Sequence, residues 1–253
     1  MTITADLPNA RAQPAAETPA RRPVRSFVLR EGRLTPAQAR ACDVLWPRFG
    51  CDWTPGMPLD LTAWFGNERP VCVEVGFGAG EALLHLAATW PERNYLGVEV
   101  HRPGIGHLLR ALERHALDNV RVLRQDALPL FEHGLPAASL TEVYLFFPDP
   151  WPKRRHWKRR LVQPRWLAAL ARVLAPGGTF HAATDWAPYA HAMLSLLEDA
   201  NDRFVNVAGA GRFAPRPAAR PPTRFEQRGL RAGHNVFDLC FRRRPAPEAP
   251  EAI

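Results

Sequence analysis

Residues 144–160 read YLFFPDPWPKRRHWKRR, an apolar run that ends in Pro-Asp-Pro-Trp and passes straight into nine residues holding six Lys or Arg and no acid. The run up to Phe147 has the length and the aromatic and aliphatic content of a buried strand. Asp149 and Trp151 then fall at the strand's carboxyl end, where open α/β sheets bind their ligands. A carboxylate and an indole beside a cationic stretch suit a base carried on a phosphate chain. The plainer account is a turn followed by a solvated face. Against it, Trp151 and Trp157 interleave with the arginines, and a merely soluble face rarely carries Trp.

On both sides of this stretch, short apolar runs alternate with helical periodicity. Strands are predicted at 71–75, 95–100, 120–123, 140–147, 179–184, 204–207 and 236–241. Helices are predicted at 81–90, where Pro91 helps to end the pattern, and at about 186–200. Two more follow from stripes at the i, i+3, i+4, i+7 spacing of one helix face, Ile105, Leu108, Leu109 and Leu112, then Leu167, Leu170, Ala171 and Leu174. Pro176-Gly177-Gly178 breaks the second stripe. Such alternation predicts an α/β fold, a doubly wound Rossmann-like sheet that is mostly parallel with an antiparallel C-terminal strand, preceded by an N-terminal arm. The expected divisions are a disordered tail at 1–24, the arm at 25–69, the sheet domain at 70–244, and a second tail at 245–253.

At 253 residues and 46% hydrophobic content the chain can bury a full core, and one domain with tails fits better than two. The formal net charge of +8 favours a polyanionic partner. No apolar run approaches bilayer length and no basic amphipathic helix with a bulky apolar face is readable, so no membrane association is expected. The cysteines at 42, 51, 72 and 240 show no paired CxxC spacing, which fits reduced thiols in a cytoplasmic protein. The nine histidines offer no HExxH and no Cys/His cluster, so no metal is expected. The N-terminal residues, rich in Ala and Pro, contain no apolar segment of the signal-peptide kind. Neither a coiled-coil heptad nor an exposed apolar stripe is readable; a monomer or homodimer without an obligatory protein partner is expected.

The first strand-to-helix turn reads Val73-Glu74-Val75-Gly76-Phe77-Gly78-Ala79-Gly80. Glycines there allow positive φ and close approach of a ligand. The spacing is GxGxG, not the GxGxxG dinucleotide fingerprint, and no Lys-Ser or Lys-Thr follows as a phosphate-binding loop requires. Glu74 precedes the glycines, Glu99 ends the second strand where a carboxylate can accept from both ribose hydroxyls, and Asp126 follows the third strand where an adenine amino group could donate to it. Acids at successive strand ends describe a site for a cationic nucleoside better than one for pyrophosphate, and S-adenosylmethionine, which carries a sulfonium, fits. Singly, Glu74 could be a strand-end ion pair and Asp126 a helix cap.

The chain resembles the bacterial tRNA (guanine-N7-)-methyltransferase family over about 25–242. The resemblance rests on RSFVLREGRLT at 25–35, VEVGFGAGEALL at 73–84, GVEVHRPGIG at 97–106, FFPDPWPKRRHWKRR at 146–160, ATDWAPYA at 183–190 and TRFEQRGLRAGHNVFDL at 223–239. It implies a class I methyltransferase fold, S-adenosylmethionine as methyl donor and a variable-loop guanosine of tRNA as acceptor. It also implies that Glu74, Gly76, Gly78, Glu99, Asp126 and Asp149 line the donor site, with Asp149 catalytic. Lys153, Asp185, Thr223, Arg224, Phe225 and Glu226 match substrate-contacting positions, and Arg155, His156, Trp157, Lys158, Arg159 and Arg160 an RNA-binding segment. Trp157, Arg224 and Phe237 depart from the residues commonest there, which bears on contact detail.

Guanine N7 carries a lone pair and no proton at neutral pH, so methylating it needs no general base, only placement and a carboxylate near the ring, Asp149 or Asp185, to favour the arriving positive charge. Reading the guanine N1–H and N2–H₂ edge needs an acceptor, for which Asp185 and Glu226 have the right groups. Their alternatives are a helix cap and an ion pair with Arg224 or Arg228. Three rivals fit less well. A nicotinamide dehydrogenase wants the GxGxxG spacing, which this chain lacks, and gains nothing from the Arg block; an amino-methyltransferase wants a second proline after Asp149; and a non-catalytic RNA-binding module has no need of the donor-site acids.

Overall fold

The structure is a computed structural model and describes residues 24–28 and 32–245, without the Phe225 side chain. The expected tails lie outside the described residues save for Val24 and Pro245, as do arm residues 29–31.

Eight strands form one sheet: β1 (Gly50–Cys51), β2 (Val71–Val75), β3 (Asn94–Val98), β4 (Val120–Leu123), β5 (Leu140–Phe146), β6 (Leu174–Thr184), β7 (Phe204–Asn206) and β8 (Phe237–Arg243). Their order is β1-β4-β3-β2-β5-β6-β8-β7, with parallel pairing up to β6 and β8 antiparallel to both its neighbours. The doubly wound sheet with its reversed C-terminal strand is as expected from the sequence. Helices are α1 (Pro36–Val44), α2 (Trp46–Phe49), α3 (Leu61–Phe65), α4 (Glu81–Thr89), α5 (Arg102–Arg114), α6 (Ala127–Pro129), α7 (Pro164–Val173), α8 (Ala187–Asp199) and α9 (Arg224–Arg231).

Strand periodicity sends alternate side chains to opposite apolar layers. Val71, Val73 and Val75 of β2 join Val143 and Leu145 of β5 in the layer that includes Trp166, Leu170 and Met193 of α7 and α8. Cys72, Tyr144 and Phe146 face the other layer, built with Leu83 and Leu86 of α4 and Leu108 and Leu109 of α5. Each fully buried Leu contributes roughly 1.5–3 kcal/mol. Glu74 therefore sits in a strand whose every residue is buried, and this governs its chemistry below.

Two expectations are corrected. Leu174 does not complete the α7 stripe: it is extended (φ −68°, ψ 133°), pairs with Leu140 and opens β6, before the register jumps so that Glu142 meets Thr179. Pro176, with no amide hydrogen, and the positive φ of Gly177 put the intervening residues outside regular pairing. The segment expected as an arm also enters the sheet, through β1 on β4, and supplies Trp53, Leu59, Leu61 and Phe65 to the core.

Candidate active site

The floor of the site is the turn after β2. Gly76, Gly78 and Gly80 all have positive φ (70°, 56° and 78°), a region costly for other residues. The start of α5 lies so near that a Cβ on Gly104 would fall 2.0 Å from the Gly78 carbonyl oxygen. Glu99 ties the turn to the end of β3, accepting from the amides of Gly78 (2.9 Å), Val100 (2.7 Å) and His101 (3.0 Å).

Glu74, beneath this turn, is buried, and its Oε2 has no hydrogen-bond partner. Burial first and the Glu99 charge second push its pKa from 4.5 to about 8, against a smaller lowering by the Leu83 amide. An orphaned carboxyl oxygen of this kind suits a cationic or hydrogen-bonding ligand group.

The wall is the loop after β5. Phe147 donates its amide to the Ala183 carbonyl (2.7 Å) and turns out of the sheet with φ 52°; Trp151 has φ 43°. Two non-glycine residues in the left-handed region, one on each side of Pro148-Asp149-Pro150, cost on the order of 1–3 kcal/mol each and must be held by their surroundings. The holding groups are visible. Trp151 Nε1–H donates to the Ser26 carbonyl (3.0 Å), Arg159 stacks over the Trp151 ring (4.7 Å), and Arg160 Nε–H donates to the Pro150 carbonyl (2.9 Å). Asp149 is exposed at the loop's tip, has no hydrogen bond or ion pair among the described residues, and has its pKa raised by partial desolvation.

Turn, wall and Ser26 to Val28 enclose a cavity of about 350 Å³ whose lining includes Gly76, Gly78, Glu99, Gln125 and Asp149. Glu74 borders a smaller recess of about 180 Å³ that shares Gly76, Gly78, Phe146 and Phe147 with it. Asp126 is absent from both linings. Its Oδ1 accepts from the Leu128 amide (3.1 Å) as the N-cap of α6, and Gln125 and Ala127 face the cavity instead.

Asp185, at the end of β6, is half-buried, and its Oδ2 faces His234 Nδ1 at 3.3 Å. α9 closes against it through Gly229, where a Cβ would approach Asp185 Oδ2 to 2.8 Å. Thr223 caps α9, its hydroxyl accepting from the Glu226 amide (3.2 Å), and Arg224 pairs through its guanidinium and its amide with Glu81. The Phe225 side chain lies outside the described residues.

Glu226 is not open to a base. It is buried, and Arg220 donates to both its oxygens (2.8 and 2.9 Å) while also donating to Asp238, which His181 contacts at 2.8 Å. The ion-pair alternative holds, but with Arg220 instead of Arg224 or Arg228. Arg220 gave no signal in a Pro-rich stretch without periodicity; only the fold brings it under the Phe146 and Phe147 rings (5.9 and 5.8 Å).

Residues 154–159 form a 3₁₀ turn. Lys153, Arg155, Trp157 and Lys158 are exposed, while His156 and Arg159 are half-buried around Trp151. Arg160 is the exception to the expected RNA-binding run: it is buried between Trp157 (4.9 Å) and Tyr189 (4.7 Å), because its guanidinium fastens the Pro150 carbonyl. Among the described residues no group of three or more His, Cys, Asp or Glu is gathered as metal ligands would be.

A family described as "Putative methyltransferase" matches residues 68–239. The tRNA (guanine-N(7)-)-methyltransferase of Alkalilimnicola ehrlichii is 57% identical over 228 residues, covering 90% of this chain and 95% of the relative; that of Halorhodospira halophila is 55% identical over 224 residues, covering 88% and 96%. Among solved structures, the 16S rRNA methyltransferase KamB superposes with a TM-score of 0.51 at 18% identity, covering 72% of this chain and 94% of that one, and the antibiotic-resistance methyltransferase Kmr with 0.51 at 19%, covering 78% and 96%. These two share the fold. With a donor-type cavity at the carboxyl ends of its strands and near-full-length identity above half, the chain belongs to the tRNA (guanine-N(7)-)-methyltransferase family.

Proposed function

We propose that the protein methylates N7 of a variable-loop guanosine in tRNA with S-adenosylmethionine as donor. The observation that carries this reading is the cavity at the glycine turn, lined by the unpartnered Asp149 and adjoined by the recess that the orphaned Glu74 oxygen borders, in a chain with near-full-length similarity to enzymes named for this reaction.

The residues present fit the donor. Glu74 and Glu99 supply acceptor oxygens beneath and beside the glycine turn, Gly76 and Gly78 let a ligand approach the backbone, and Gln125 lines the cavity next to Asp126. When bound, S-adenosylmethionine supplies an electrophilic methyl group on a sulfonium. Since N7 needs no deprotonation, the protein's work is placement, for which effective molarity can provide about 7–11 kcal/mol. Asp149, fixed on a strained loop and free of partners, favours positive charge on the purine as it forms, a preorganised contribution larger in the transition state than in the ground state. Asp185 is the better reader of the guanine edge, since both Glu226 oxygens are committed to Arg220. Arg155 and Lys158, exposed on the 154–159 turn, suit RNA phosphates.

The test is methyl incorporation from labelled S-adenosylmethionine into an unmodified tRNA transcript, beside a twin whose variable-loop guanosine is changed to adenosine. Label in the first alone is expected. Label in both would remove the assigned target, and label in neither would remove the enzyme.

A further inference from the structure

α9 presents two unlike faces. Its inner face is fixed by Glu226 on buried Arg220 and by Gly229 against Asp185. Its outer face carries Arg224, Arg228 and Arg231, all exposed, at the i, i+4, i+7 spacing of one stripe. Arg224 is paired with Glu81; the guanidinium groups of Arg228 and Arg231 make no hydrogen bond or ion pair among the described residues. Like charges so spaced destabilise a helix. The helix dipole makes the last turn a favourable place for Arg228 and Arg231, but explains neither Arg224 nor the ionic anchor beneath.

The helix is also placed to matter. It runs from Glu81 at the start of α4 to Asp185 at the end of β6, passing the end of β5 on the α4 face of the sheet. The 154–159 turn meets the same rim from the other face, where Arg160 stacks on Tyr189 of α8. Asp149 and the cavity mouth lie between two cationic edges.

We infer that the outer stripe of α9 is a second phosphate-binding wall for the RNA, facing the 154–159 turn across the site. The inference rests on the proposed tRNA reading and adds Arg228 and Arg231 to it. A strand gripped from both sides presents its base to the gap between Asp149 and Asp185, which one basic edge alone would leave free to pivot.

The experiment compares wild type, R228Q/R231Q and R110Q/R114Q by tRNA binding against salt and by methyl transfer to an unmodified transcript. Arg110 and Arg114 are exposed towards the end of α5, at the opposite edge of the sheet, and their loss changes the net charge equally. R228Q/R231Q should lower the slope of log affinity against log salt by about 1.4–1.8 units and raise the tRNA KM about tenfold, at roughly 0.7–0.9 units per phosphate. R110Q/R114Q should leave both within about twofold of wild type. A wild-type slope in R228Q/R231Q, or an equal fall in R110Q/R114Q, overturns the inference while the tRNA reading stands. If wild type transfers no methyl group to the transcript, the reading itself fails and the inference falls with it.

Discussion

The guanidinium of Arg220 holds both oxygens of Glu226, at 2.8 and 2.9 Å, and reaches Asp238 of β8 with its remaining donors, so one buried cation ties α9 to the sheet. Removing it leaves two buried carboxylates without their cation. R220M should therefore destabilise the fold by about 3–5 kcal/mol in urea denaturation. A loss below about 1 kcal/mol would mean that α9 is held by its other contacts.

Asp149→Asn preserves the loop's shape and removes the charge. Single-turnover methyl transfer at saturating donor and tRNA should fall about 10²–10³-fold, the range for losing a preorganised electrostatic group. A rate within threefold of wild type would discard Asp149 as the charge-stabilising residue.

Glu74 makes stability depend on pH in a direction unusual for a carboxylate. Its folded pKa of about 8 lies above the ordinary 4.5, so between these values the folded state keeps a proton that the unfolded state has lost. Stability falls as pH rises through this window and levels off above it, by an amount on the order of a few kcal/mol. E74Q should abolish that decline in ligand-free thermal melts between pH 5 and 8.5. A parallel profile for both proteins would show that Glu74 does not carry it.

Trp151→Phe removes the donor to the Ser26 carbonyl while keeping an aromatic surface for Arg159. One such bond contributes about 1 kcal/mol. Since Ser26 to Val28 cover the cavity, donor affinity measured by calorimetry should weaken about fivefold. Unchanged affinity would mean that the cover does not bear on donor binding.

Much of the fold and part of the candidate site were legible in order of residues alone. Strand runs, helix stripes and the glycine turn are local patterns with periods of 2 and 3.6 residues, and they placed Glu74, Glu99 and Asp149 at successive strand ends. The alternation of β2 and β5 even dictates which of their side chains enter which layer.

What only the tertiary structure decided concerns partners distant in sequence. Arg160 read as one more cation in a basic run, yet it turns inward because Pro150 and Tyr189 converge on it. Glu226 and Asp185 offer equal acceptors in the sequence, and only the fold shows that Arg220 occupies both Glu226 oxygens. One oxygen of Asp126 is taken by the α6 cap, the alternative its sequence position also offered. The reason is common to all three: periodicity reports which face a residue occupies, whereas the occupation of a polar group's lone pairs and protons is settled by whichever segments the fold brings beside it.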